Sequence, residues 1–356
     1  MYKFQFLRNI FSWVGLMEYK YLKYKHKYLK HKIGGAMVND PTEKLEPIEM
    51  NFIRSLNKKN DPPLSSLTPD AARKVLDDLQ AGAKIDVPTE KSEIKFPAGE
   101  KYSEFSVYIV RPKTSDVLPG IIYVHGAGWI LGNYGTHERI VREIAYGANV
   151  AVVFVNYSLS PEAPFPVAVE QSFAALKFIG ENGAKHKIDT SKLMIAGDSV
   201  GGDMATVVAR LAKDRGGPKL VYQILMYPVT DASMSTNSYK EFANGPWLTA
   251  ASMAWFWDAY EPNKEKRKDS LLSPLNATLE ELKNLPPALV ITNENDVLRD
   301  EGEAYAHKLI KAGVQTVAVR FLGVTHDFLM LKPYENSPIR RSAMEFIIMN
   351  IKHKLS

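Results

Sequence analysis

The 356-residue sequence contains no cysteine. Disulfides, thiolate nucleophiles, cysteine-ligated zinc and iron–sulfur clusters are therefore excluded. A chain without thiols suits a reducing compartment, and a cytoplasmic location is expected. Also absent is an apolar run of about 20 residues, the length that crosses a bilayer. Residues 1–17 lack the longer apolar region and small-residue cleavage site of a secretory leader. The formal net charge of +5 is not spread over the chain. Residues 1–32 carry Lys3, Arg8, Lys20, Lys23, Lys25, Lys27, Lys30 and Lys32 against one acid, Glu18, a net +7 that leaves the remainder at −2. That near-neutral body speaks against nucleic acid as a partner.

What is present is ordinary globular composition, 45% hydrophobic and 24% charged. It is enough for one large α/β domain with an added subdomain. The N-terminal segment admits two readings. Its residues 1–17 mix Phe4, Phe6, Phe11 and Trp13 with two basic residues, and a run of Tyr, Lys and His follows, which fits weak contact with an anionic membrane surface. The plainer reading is a loosely docked extension over residues 1–45.

Past Pro63 the texture becomes regular. Residues 69–82 read as a helix, with Thr68 as N-cap and Pro69 at the first position. Glu104–Arg111 alternates like a half-buried antiparallel strand. Gly120–Val124 and Val150–Val155 are short apolar runs, as buried parallel strands are. Leu193–Ala196, Tyr222–Met226, Ala288–Thr292 and Thr316–Phe321 repeat the theme. Helices are expected between them at 136–148, 165–180, 201–214 and 301–312, with a last one at 338–353. This alternation predicts a mostly parallel, doubly wound α/β sheet. Residues 231–285 interrupt it with Trp255, Phe256, Trp257 and Tyr260. They read as a partly helical insertion whose aromatics pack a core.

The chemistry lies at three strand ends. Gly197-Asp198-Ser199-Val200-Gly201-Gly202 joins a strand to a helix, the G-x-S-x-G turn that exposes a serine hydroxyl. His125-Gly126-Ala127-Gly128-Trp129 follows another strand. Its backbone N–H groups at Gly126, Ala127 and Gly128, with that of Val200, are the candidate oxyanion hole. Asp296 and His326 each lie just past a later strand, in the order Ser…Asp…His. Ser199 is thus the candidate nucleophile, His326 its base and Asp296 the orienting acid. Asp300 is expected to cap the helix starting near Glu301, and Glu294 sits nearer the strand end. His125 fits the order badly and is expected to make a structural hydrogen bond. His137, His186, His307 and His353 are expected to be solvated.

Taken together, PPLSSLTP at 62–69, HGAGW at 125–129, YSLSPEAPFP at 157–166, GDSVGG at 197–202, DVLRDEG at 296–302 and GVTHDF at 323–328 resemble the hormone-sensitive-lipase-like family of bacterial and metagenomic esterases. The resemblance covers about residues 46–350. It implies an α/β-hydrolase fold with an eight-stranded, mostly parallel sheet flanked by helices and a helical cap. The cap would comprise residues 46–90 and 231–285, and the catalytic core 91–230 and 286–356. It also implies a serine carboxylesterase acting on short- to medium-chain acyl esters, small molecules that need neither metal nor cofactor. Pairing of two copies through an exposed sheet edge is a further expectation.

Three positions depart from the family pattern: Ala127 in HGGG, Val297 for proline, and Asp327 for the common glycine after the histidine. Ala127 is harmless if its φ is negative. Asp327 would either raise the basicity of His326 or face solvent. The same three groups would serve a deacetylase or amidase. A hydrolase-like binding protein would have lost one of them.

Overall fold

Runs of apolar residues with no polar face are stable as strands only when both sides of the sheet are covered. The computed structural model describes residues 42–59, 61–83 and 85–356, and residues 44–356 form one compact unit. At its centre lie β1 (Thr89–Phe96), β2 (Phe105–Pro112), β3 (Leu118–Val124), β4 (Ala151–Asn156), β5 (Ile188–Asp198), β6 (Leu220–Met226), β7 (Ala288–Asn295) and β8 (Thr316–Thr325). They form one sheet in the order β1-β2-β4-β3-β5-β6-β7-β8. β1 and β2 run antiparallel to their neighbours, and the remaining pairs are parallel.

Residue patterning did not mark β1 as a strand, although the family resemblance implied eight. Its sequence TEKSEIKF carries four charges and is mostly exposed. It pairs with β2 alone, at the sheet edge, where charge discourages pairing with other chains.

The helices are α1 (Pro47–Lys59), α2 (Pro69–Gln80), α3 (Tyr134–Ala148), α4 (Val167–Asn182), α5 (Val200–Asp214), α6 (Asn237–Glu241), α7 (Ala250–Tyr260), α8 (Leu279–Leu282), α9 (Arg299–Lys311) and α10 (Pro338–Leu355). α3 packs on α10 and α4 on α5, while α5 and α9 lie along β5 and β7. Thr68 caps α2 by accepting the Ala71 N–H at 3.3 Å, as anticipated. α3 starts earlier than Thr136, because Asn133 and Thr136 cap each other reciprocally. Asp300 does not cap α9. It accepts the Ser238 N–H of α6 at 2.8 Å and so ties the insertion to α9.

Residues 231–285 contain α6, α7 and α8 between β6 and β7. Among the described residues no helix is long and apolar enough to cross a membrane. The reading of residues 1–32 as a membrane-surface segment falls outside the described residues.

Candidate active site

β5 ends at Asp198 and α5 begins at Val200, so Ser199 alone makes the turn. Its φ of 55° lies in the left-handed region, where a non-glycine residue costs about 1–3 kcal/mol. Glycines make the turn tight enough. A Cβ on Gly197 would collide with the Gly201 carbonyl, and one on Gly201 with the Val124 carbonyl. The Ser199 N–H donates to Met226 O at 2.8 Å, which pins the turn to the end of β6.

Asp296 follows β7 and His326 follows β8, and the sheet brings both to Ser199. Ser199 Oγ lies 2.8 Å from His326 Nε2, and His326 Nδ1 lies 2.7 Å from Asp296 Oδ2. All three residues are at most 3% exposed. The Asp296 carboxylate is held by Asn293 Nδ2 at 3.2 Å and by the Leu298 N–H at 3.0 Å. Glu294, the alternative acid, accepts the Gly323 N–H and has no bond to the imidazole.

Burial by itself would pull the His326 imidazolium down. The charges of Asp296 and Asp327 outweigh burial and raise its pKa to about 9. Asp327 therefore acts on the imidazole, the first of the two roles anticipated for it. Its Oδ1 lies 3.5 Å from His326 Nε2. Its Oδ2 accepts the indole N–H of Trp247 at 2.9 Å, from the insertion. Burial pushes the Asp327 carboxyl above its ordinary range, although the His326 charge and the Trp247 N–H pull against it.

Of the four amides proposed for the oxyanion hole, the structure leaves three available. The Gly126 N–H is already donated to Asp198 Oδ1 at 3.2 Å. Among the described residues, the N–H groups of Ala127, Gly128 and Val200 have no protein acceptor. Ala127 does not meet the condition set for it: its φ is 74°, and Gly128 and Trp129 follow at 66° and 59°. Three successive left-handed residues make this turn, and Ala127 bears strain that glycine would avoid.

The insertion braces this loop. The Trp129 ring stacks on Tyr260 at 4.2 Å and touches Trp257 at 4.7 Å. A Cβ on Gly128 would occupy the space of the Phe256 ring. The aromatic cluster is core packing, as expected, and the core it builds includes Gly128 and Trp129 of the HGAGW loop.

Comparison with known proteins places the fold. A family model described as the alpha/beta hydrolase fold matches residues 121–330. An α/β-hydrolase-like protein of Acanthamoeba polyphaga mimivirus is 42% identical over 94% of this chain and 96% of its own length. The chain belongs to the α/β-hydrolase family, in its hormone-sensitive-lipase-like branch. The carboxylesterase NlhH of Mycobacterium tuberculosis is 43% identical over 57% of this chain and 64% of its own. A thermostable esterase of Pseudomonas putida superposes with a TM-score of 0.85, at 41% identity, covering 91% of this chain and 99% of that one. This α/β-hydrolase is a carboxylic-ester hydrolase.

Two features of the hydrolase escaped the sequence. His137 is not solvated but fully buried, with Nε2 3.3 Å from Asp198 Oδ2 and Nδ1 2.8 Å from Thr136 Oγ1. Asp198 also accepts the Tyr123 O–H at 2.7 Å. Burial would raise its carboxyl, but His137 and Tyr123 hold it below its ordinary range. This network locks the residue before Ser199 to Gly126, at the start of the candidate oxyanion loop. The other feature is the Trp247–Asp327 pair. His125 makes the structural bond expected of it, with Nδ1 2.9 Å from Gly126 O, and its ring stacks on Tyr157 at 4.1 Å.

Proposed function

We propose that the protein hydrolyses small esters of short- to medium-chain acids through an acyl-enzyme on Ser199. The observation that carries this reading is the buried chain of two short hydrogen bonds from Ser199 Oγ through His326 to Asp296. His326 accepts the serine proton as Oγ attacks the ester carbonyl. Asp296 fixes the tautomer by accepting the Nδ1–H and stabilises the imidazolium that forms. The amides of Ala127, Gly128 and Val200 receive the developing oxyanion, each worth roughly 3–4 kcal/mol in the transition state. The imidazolium then gives its proton to the leaving alcohol. A water activated by His326 releases the acid and restores Ser199.

The acyl range follows the relatives, one of which is an ethyl acetate hydrolase of Pseudomonas putida, 34% identical over 76% of this chain and 86% of its own. The cap belongs to the same proposal. Residues 46–90 and 231–285 supply Phe52 and Trp247, whose rings meet at 5.8 Å, and Trp247 reaches Asp327 beside the imidazole. β1 begins at Thr89, so the N-terminal share of the cap ends just before it.

The test is hydrolysis of 4-nitrophenyl esters from acetate to palmitate by wild type and Ser199→Ala. Turnover on short chains that falls by about 10⁶ in the variant supports the reading. Equal turnover by both proteins refutes it.

A further inference from the structure

Asp327 holds two unlike oxygens. Oδ2 is fixed by the Trp247 indole N–H at 2.9 Å. Oδ1 is buried and has no hydrogen-bond partner among the described residues. A buried carboxylate oxygen left without a donor is costly unless something outside the protein supplies one. Oδ1 stands 3.5 Å from His326 Nε2, the nitrogen that also contacts Ser199 Oγ at 2.8 Å. The backbone holds Asp327 there at φ 63°, a left-handed conformation that aspartate adopts more readily than most side chains.

The reaction brings one more group to Nε2. The oxygen that leaves in acylation must take its proton from Nε2, and the water that attacks in deacylation must give one to it. Both therefore occupy the same place, beside Oδ1. The two differ in what remains on the oxygen. Water keeps a second O–H after one proton is directed at Nε2. A simple alcohol has only carbon there.

We infer that Asp327 is a further catalytic residue, whose Oδ1 accepts a hydrogen bond from the second O–H of the hydrolytic water and so favours water over simple alcohols as acyl acceptor. This rests on the acyl-enzyme reading above. In the step, the water oxygen bonds to the acyl carbon, one water proton passes to Nε2, and the carbonyl electrons move onto the oxygen held by the backbone amides. Collapse breaks the bond to Ser199 Oγ, which recovers the proton from Nε2. Asp327 gains no proton. It holds the second O–H and thereby aims the lone pair at carbon. A monohydric alcohol in the same place leaves Oδ1 without a donor and sets a methyl or methylene against a carboxylate.

The experiment is product partitioning. The full chain is given 4-nitrophenyl butyrate in water containing methanol, and the ratio of methyl butyrate to butyric acid is measured. The same is done for Asp327→Asn and Asp327→Gly. The ratio is read per turnover, so it does not depend on how much of a variant is folded. A general loss of structure slows both products alike and leaves it unmoved. The expected result is a ratio raised about tenfold in both variants, the loss of one charge-assisted hydrogen bond to water. An unchanged ratio, with methyl butyrate still formed and abolished by Ser199→Ala, overturns the role of Asp327 and leaves the acyl-enzyme standing. Absence of methyl butyrate together with unmodified Ser199 overturns both.

Discussion

The Thr325 N–H donates to the Glu49 carboxylate at 2.6 Å across 276 residues of sequence. Thr325 immediately precedes His326, so α1 helps hold the loop that carries the proposed base. Burial pushes the Glu49 carboxyl up to about 8, against the pull of that N–H. The folded chain therefore keeps the Glu49 proton well past the pH at which the unfolded chain releases it. The contribution to stability is complete below about pH 4.5 and is lost as pH rises through about 8. Glu49→Gln keeps an acceptor for Thr325 and has no proton to lose. It should raise Tm at pH 9 by roughly 2–4 °C, for about 1 kcal/mol, and leave Tm unchanged at pH 4. A variant less stable than wild type at both pH values would refute the account.

The base should titrate in alkali. With His326 near 9, kcat/KM should climb about tenfold per unit from pH 6 to 8 and level off near 9. The unperturbed value of about 6.5 would have put that bend near neutrality. Asp327→Asn removes one of the charges that favour imidazolium and should move the bend to lower pH. Stability runs the other way, since the folded pKa lies above the unfolded one. The His326 contribution is complete below about pH 6.5 and gone as pH passes 9. A profile flat between pH 7 and 9 would contradict this assignment.

Ala127→Gly should be tolerated. The N–H stays in place and the left-handed strain of about 1–2 kcal/mol is relieved, partly offset by the greater freedom of glycine in the unfolded chain. Activity within about threefold of wild type and a Tm at or above wild type are expected. A Tm several degrees lower would show that the alanine methyl packs more than it strains.

His137→Leu should be severe, although His137 touches neither Ser199 nor His326. It strips Asp198 of the group that holds its charge in a dry interior, a loss of about 3 kcal/mol or more. Denaturant unfolding measures this directly. Esterase activity of the surviving fold should fall too, because the Asp198 bond to Gly126 sets the donor loop. Unaltered stability would mean that water replaces the imidazole.

The sequence points to Ser199, Asp296 and His326 because each follows an apolar strand-like run, and strand ends of one sheet converge; the run before His326 is β8, an edge strand whose residues are mostly half-buried or exposed. It hides β1, since TEKSEIKF has the charge of a surface loop and becomes a strand only by pairing with β2. It hides His137 because a histidine among polar helical neighbours looks solvated, and its partner lies 61 residues away. The φ of Ala127 belongs to no local pattern. Alanine itself gives no sign of a positive φ, which the loop after β3 imposes on it together with Gly128 and Trp129.

The stacking of Trp129 on Tyr260 and the seat of Phe256 over Gly128 have a consequence for modularity. The insertion that would shape substrate choice and the loop that would hold the oxyanion share one set of rings. Exchanging residues 231–285 between relatives would therefore transplant half of a joint. A chimera should work when the donor brings an aromatic counterpart for Trp129 and a ring that seats over Gly128. Without them, a change of specificity would also slacken the catalytic amides.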